Sequence, residues 1–172
     1  QGCVPHYSDP DGDGFGGGQE SACLCGPNQF FPVDKSGDCQ PKNPEIGPGA
    51  REVCNGIDDN CKNGIDESGA KGCTVYYADK DGDGIGDSTL NKCLCKAEAP
   101  YTATSSGDCD DTKAESKPGA IETCDGVDNN CNGKTDEVGA DGCKVFYIDK
   151  DGDKYGASAS GACLCALGGE YN

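Results

Sequence analysis

Every cysteine in the chain recurs at an offset of 70 residues. The fifteen fall at 3, 23, 25, 39, 54 and 61, again at 73, 93, 95, 109, 124 and 131, and then at 143, 163 and 165. Aligned on that offset, residues 3–72 and 73–142 need no insertion and agree at 30 of 70 positions, nearly all of them Cys, Asp, Asn, Gly, Glu or Pro. What recurs is cross-links, ligands and turns rather than an apolar face. Similarity of this kind predicts tandem units that contact chiefly their neighbours. The units are repeat one over 1–72, repeat two over 73–142 and a partial third repeat over 143–172. Gln1-Gly2 occupies the frame of Lys71-Gly72, and Asn172 falls inside a variable loop. The sequence is therefore expected to be a window on a longer array.

Composition alone argues against folding. Val, Ile, Leu and Phe together number 22 of 172 residues, Trp and Met are absent, and the formal charge is −17. Chains so poor in apolar residues and so charged stay disordered unless something other than a core holds them. Fifteen cysteines supply that alternative, and they imply an oxidising, extracellular or cell-surface setting. Thiolate metal sites are disfavoured by the spacing of Cys23-Leu24-Cys25 and by the presence of one His only, His6. His6 aligns with Tyr76 and Phe146, which suggests packing rather than chemistry. No apolar run approaches the ~18 residues of a membrane span, and the net charge repels nucleic acid and anionic lipid.

The fold class expected is a small disulfide-rich tandem repeat stabilised by calcium, mostly loops and turns with short β-strands and one short helical turn per repeat. Strands are expected at Val4–Tyr7, Thr74–Tyr77 and Lys144–Tyr147, which are β-branched or aromatic and bounded by turn formers. The helical turns are expected after Pro48 and Pro118, over residues 50–53 and 120–123. Six cysteines per repeat allow fifteen pairings. Proximity favours Cys54–Cys61, one of Cys23 and Cys25 with Cys3, and the other with Cys39. The second repeat then gives Cys124–Cys131, Cys73 with Cys93 or Cys95, and the remaining one with Cys109. In the third, Cys143 pairs with Cys163 or Cys165, leaving one cysteine over.

Two kinds of acidic loop carry the candidate chemistry. The first reads Asp9-Pro-Asp11-Gly-Asp13-Gly-Phe15 and recurs as Asp79, Asp81, Asp83 with Ile85 and as Asp149, Asp151, Asp153 with Tyr155. Carboxylates at alternate positions converge when the backbone between them turns tightly, which is how a calcium loop supplies ligands at positions 1, 3 and 5, with the carbonyl of position 7 as a fourth. Phe15, Ile85 and Tyr155 stand at that position. Lys154 takes the turn glycine's place in the third loop, so the turn there needs a non-glycine residue in left-handed backbone or is weaker. The second kind lies between Cys124 and Glu137, where Asp128, Asn130, Asn132 and Asp136 occupy positions 1, 3, 5 and 9. Its first copy offers Asp58, Asn60 and Asp66, with Lys62 at position 5 and Asn63 as the substitute. Gly37-Asp38-Cys39 and Gly107-Asp108-Cys109-Asp110-Asp111 are weaker candidates to add ligands.

The combination of Tyr-x-Asp-x-Asp-Gly-Asp-x-x-Gly, Gly-Asp-Cys, and Pro-Gly-Ala-x-Glu-x-Cys followed by an Asp/Asn-rich loop ending in Asp-Glu resembles the MopE-type metal-binding repeats of secreted and surface bacterial proteins. It is more distantly similar to thrombospondin type 3 calcium repeats. The resemblance implies an extracellular, calcium-stabilised protein with ligands among the residues just named. About two Ca²⁺ per repeat are expected, and five ions would bring the charge from −17 to about −7.

The functional expectation is a non-enzymatic structural segment, a stalk, fibre or filament, whose partners are neighbouring repeats and, in a self-assembling filament, other copies. The alternative is a metal-sequestering or ligand-binding surface module, an adhesin or receptor. Glycosidase-type carboxylate pairs are disfavoured because equivalent acids recur in glycine-rich loops without an apolar pocket. The Thr102 to Ser106 segment and Ser158 to Ser160 are candidate O-glycan sites.

Overall fold

The structure, a computed structural model, describes residues 2–166; Gln1 and residues 167–172, which include the frame position read at Asn172, lie outside them. Strands β1 (Val4–Tyr7), β2 (Gly16–Gly17), β3 (Ser21–Leu24) and β4 (Ser36–Asp38) form the first repeat. β1 pairs antiparallel with β3, and β2 runs parallel to β4. In the second repeat β5 (Thr74–Ala78), β6 (Ile85–Leu94), β7 (Tyr101–Ala103) and β8 (Ser105–Ser106) make one sheet of order β7-β5-β6-β8. The third opens with β9 (Lys144–Phe146), paired with β10 (Ala162–Leu164).

Each expected strand is present, and the acidic triad loop follows each directly. In the first and third repeats the chain returns from that loop to the strand carrying Cys23 or Cys163, and the disulfides Cys3–Cys23 and Cys143–Cys163 close those hairpins. Cys73–Cys93 does the same for β5 and β6. The return path leaves no room for a side chain. A Cβ on Gly86 would stand 2.5 Å from the Ala78 carbonyl oxygen, and one on Gly16 would stand 2.8 Å from that of Ser8.

The chain divides into two compact units, residues 1–75 with 92–96 and residues 76–91 with 97–172. In the first, Ile46, Ala70 and Leu94 are buried alongside His6, Asp38, Glu52 and Asp59. In the second, Ala78, Ala103 and Ala140 are buried alongside Asp111, Ser116, Glu122 and Asn129. Polar side chains make up at least as much of each interior as apolar ones. Hydrogen-bonded loops and disulfides therefore take the place of an apolar core, as the scarcity of Val, Ile, Leu and Phe requires.

The disulfide pairing corrects the expected one in two of its three elements. Cys39 joins Cys61 and Cys109 joins Cys131, while Cys54 joins Cys95 and Cys124 joins Cys165. Cys54–Cys61, Cys124–Cys131 and any bridge from a Cys-x-Cys pair to Cys39 or Cys109 do not form. The backbone explains the exchange. Cys54 is held beside Lys71 by its N–H bond to the Lys71 carbonyl at 3.0 Å and by the Val53–Lys71 bridge. Cys61 sits in left-handed backbone at φ 56° and reaches Cys39 instead. The unpaired cysteine is Cys25, exposed, rather than a member of the third repeat. Thiol titration of unreduced, denatured chain is expected to find one thiol; three would show that one of the seven bridges is open.

The helical turns expected over 50–53 and 120–123 are also corrected. Neither segment is helical: the Ala50 and Ala120 N–H groups close turns on the Gly47 and Lys117 carbonyls, and Val53 and Thr123 then form parallel bridges with Lys71 and Asp141. The one helical element among the described residues is a 3-10 turn at Ser158–Ser160. No helix there is long and apolar enough to cross a membrane.

Candidate metal centre

The three triad loops share one hydrogen-bond pattern. The Asp9 carboxylate accepts the N–H groups of Gly12 at 2.8 Å and Gly14 at 3.1 Å, Asp11 accepts that of Asp13 at 3.3 Å, and Asp13 that of Phe15 at 2.7 Å. Asp79, Asp81 and Asp83 accept from Gly82, Gly84, Asp83 and Ile85 in the same way. Asp149, Asp151 and Asp153 accept from Gly152, Lys154, Asp153 and Tyr155. Lys154 stands at φ 73°, so the third loop keeps its turn at the steric cost of a non-glycine residue in left-handed backbone. In each loop one oxygen per aspartate lies within 4.8 Å of the others. The third triad is the most open, with Asp151 and Asp153 exposed. Phe15, Ile85 and Tyr155 close the loops with their N–H groups, and the Phe15 ring lies under the Lys35 ammonium at 5.4 Å.

These bonds use part of each carboxylate. The second oxygens of Asp11 and Asp81 are buried without a hydrogen-bond partner. In the second repeat Asp81 also lies within 4.8 Å of Asp108 and Asp111, residues from a separate stretch of chain. Burial pushes the Asp81 and Asp108 carboxyls above the usual range; the N–H groups of Asp83 and Asp110 oppose this, and repulsion from neighbouring aspartates, Asp111 among them, adds to it. Asp38 is raised for the same reasons, burial first, against the Gln40 N–H, with Asp11, Asp13 and Asp9 repelling it. Two lysines offset the second cluster: Lys117 Nζ lies 3.2 Å from Asp83 and Lys80 Nζ 3.1 Å from Asp111. In the first repeat Gly47 stands in the place of Lys117, with Pro10 and Pro41 in the places of Lys80 and Asp111.

The asparagine-rich loops are organised by a residue the sequence reading passed over. Glu52 is 6% exposed, and its carboxylate accepts the N–H groups of Asp59 at 3.0 Å, Asn60 at 3.1 Å and Asp66 at 3.0 Å. Glu122 does the same for Asn129, Asn130 and Asp136. Its recurrence in the 70-residue alignment was the available signal. Asp66 and Asp136, both in left-handed backbone, turn one oxygen to two N–H groups, those of Asn55 and Gly56 and those of Asp125 and Gly126. Asp58 accepts the Lys62 N–H, and Asp128 those of Asn132 and Gly133. Asn130 accepts from Asn132, and Asn132 from Lys134. Asn60 donates its amide to Glu67 at 2.6 Å and Asn132 donates to Glu137. This leaves Asn60 Oδ1, Glu67 Oε2 and Glu137 Oε2 buried and unpartnered. The glutamates closing the loops are thus further candidate oxygen donors beside Asp58, Asn60, Asp66, Asp128, Asn130, Asn132 and Asp136. No three acidic side chains converge within these loops among the described residues.

The donor set is oxygen throughout. Fourteen cysteines are in disulfides, including Cys109 and Cys131 beside Asp108, and the His6 ring is buried and bonded to the Val4 carbonyl at 3.1 Å. Such a set suits hard divalent cations and does not fit a soft thiolate or imidazole site.

Disulfides in place of a core, and acidic loops closed by their own backbone, define the class as a stapled tandem repeat with carboxylate clusters. A family model named Cu-binding MopE and described as a putative metal-binding motif matches residues 38–67 and 108–137, and the chain carries two copies of that motif. The matched stretches run from Asp38 to Glu67 and from Asp108 to Glu137, so they take in the asparagine-rich loops and leave the three triads outside. No curated protein and no solved structure matches the chain.

Proposed function

We propose that the chain is a calcium-binding structural segment of an extracellular or surface protein, a stalk or filament piece held rigid by cations and disulfides, with no catalytic role. The observation that carries this reading is the triad loop, built three times with the same backbone bonds while Asp11 and Asp81 keep buried oxygens unpartnered. A carboxylate buried without a partner is costly, and a cation at 2.3–2.6 Å turns that cost into attraction. Asp9, Asp11 and Asp13, Asp79, Asp81 and Asp83, and Asp149, Asp151 and Asp153 would hold one ion each. Asp58, Asn60, Asp66 and Glu67, and Asp128, Asn130, Asn132, Asp136 and Glu137, are the donors for a second kind of site. Seven bridges fit an oxidising compartment. Cys54–Cys95 and Cys124–Cys165 each join one repeat to the next, which suits a segment that transmits force along its length, with neighbouring repeats and other copies as partners.

The family's name favours a second reading, a copper-sequestering module. Metal analysis of oxidised chain separates the two: calcium is expected, and copper retained after full oxidation would favour the second. Millimolar calcium is expected to raise the melting temperature and protease resistance, since extracellular sites bind at about 10⁻⁴–10⁻³ M. If EDTA leaves both unchanged, calcium is not the organiser.

A further inference from the structure

Asp38 is the most deeply buried aspartate in the first unit, 6% exposed, and nothing pairs with its Oδ2. Its other oxygen accepts the Gln40 N–H at 2.7 Å. It ends β4, opposite Gly17 of β2, the strand into which the first triad loop runs, and the charges it meets are those of Asp11, Asp13 and Asp9. Asp108 repeats the arrangement. Its N–H lies 3.4 Å from the Gly86 carbonyl, its Oδ1 accepts from Asp110 at 2.8 Å, and its Oδ2 is buried and unpartnered. One of its oxygens lies within 4.8 Å of oxygens of Asp81 and Asp111. Asp111 is already held by Lys80 through its N–H at 2.9 Å and its ammonium at 3.1 Å. Asp108 has no such partner.

We propose that the Gly-Asp-Cys segment supplies a further ligand to the cation of the triad loop before it, Asp38 for the first loop and Asp108 for the second. This rests on the cation-binding reading of the triads. Each aspartate keeps a buried oxygen without a partner beside the strand into which a triad loop runs, and Asp108 also has an oxygen within 4.8 Å of oxygens of Asp81 and Asp111, a combination a solvated turn does not produce. Cys39 and Cys109 follow these aspartates directly and are bonded to Cys61 and Cys131. A cation held by both segments therefore couples each triad loop to the disulfide of the matched metal-binding motif.

The test is calorimetric titration of the oxidised full chain with calcium chloride, comparing wild type with Asp38→Asn, Asp108→Asn and Asp151→Asn. Asparagine keeps the acceptor for the Gln40 or Asp110 N–H, and a disulfide map checks each fold. Asp38→Asn and Asp108→Asn are each expected to weaken one site about tenfold or more, since calcium affinity follows the number of charged ligands. Asp151→Asn is expected to affect the third site alone. A wild type that binds calcium while Asp38→Asn and Asp108→Asn bind as tightly overturns the added ligand and leaves the triads standing. A wild type that binds no calcium overturns both readings. Because a misfolded variant could imitate weaker binding, Pro41→Asp, which gives the first site the residue found at Asp111, is measured alongside. Tighter binding at the first site supports the composite centre, and an affinity that stays unchanged in Pro41→Asp and in Asp38→Asn alike, both correctly bridged, overturns it.

Discussion

Alanine in place of Glu122 is expected to destabilise the second unit by about 3–5 kcal/mol. The carboxylate is 8% exposed and accepts three backbone N–H groups, from Asn129 at 3.1 Å, Asn130 at 3.2 Å and Asp136 at 3.0 Å. Hydrogen bonds to a charged acceptor are worth about 1.5–3 kcal/mol each, and a buried donor left without a partner costs about 1–3 kcal/mol. Water entering the space relieves part of the sum, which keeps the loss below three full bonds. Glutamine should lose roughly half as much, because its amide carbonyl still accepts from Asn129 and Asn130 while its NH₂ group is turned against the Asp136 N–H. Amide hydrogen exchange gives the local reading: the N–H groups of Asn129, Asn130 and Asp136 should exchange faster together in Glu122→Ala. Unchanged protection at these three amides would show that the carboxylate does not hold the loop. Glu52→Ala should reproduce the effect at Asp59, Asn60 and Asp66.

Which residues could be read from the sequence, and which could not, follows from how local their physics is. The triads were legible because convergence of Asp9, Asp11 and Asp13 depends on five residues and on two glycines, Gly12 and Gly14, at φ 81° and 91°. Lys154 shows how far such reading reaches, since the pattern carries the turn even without the glycine. Glu52 acts on residues seven to fourteen positions away, and nothing in Pro-Gly-Ala-x-Glu-x-Cys alone announces that role. The same segment suggests a helix, yet the Glu52 carbonyl accepts the Lys71 N–H, the Cys54 N–H donates to the Lys71 carbonyl and the Val53 N–H goes to the Asp59 carboxylate, partners no local preference reveals. Asp66, expected as a ligand at position 9 of a calcium loop, gives one oxygen to the N–H groups of Asn55 and Gly56, as the triad aspartates give theirs to backbone N–H groups, and stays a candidate ligand. Glu67, next to it, keeps the unpartnered buried oxygen.

Removing the Cys54–Cys95 bridge by the double change Cys54→Ser and Cys95→Ser is expected to cost about 4 kcal/mol in the first unit. The bridge spans a sequence separation of 41, against 20 for Cys3–Cys23 and 22 for Cys39–Cys61. Because the entropy of an open loop grows with the logarithm of its length, this bridge should contribute about 0.6 kcal/mol more than its shorter neighbours. A second consequence is specific to its place in the chain. Residues 92–96 belong to the first compact unit although they lie far along the sequence from its main body at 1–75. Two bridges, Cys54–Cys95 and Cys73–Cys93, and the bond from the Gly69 N–H to the Cys93 carbonyl at 2.9 Å fasten them there. Proteolysis of the double variant should therefore begin at Lys92 or Lys96, sites expected to resist cleavage in the wild type, and denaturant melting should show the first unit lowered while Cys124–Cys165 keeps the second unchanged. Equal losses for all three bridge deletions would mean that native contacts, rather than the freedom of the unfolded loop, set what each contributes. A wild-type cleavage pattern would mean that Cys73–Cys93 alone secures the segment, leaving Cys54–Cys95 to join one repeat to the next without holding either in shape.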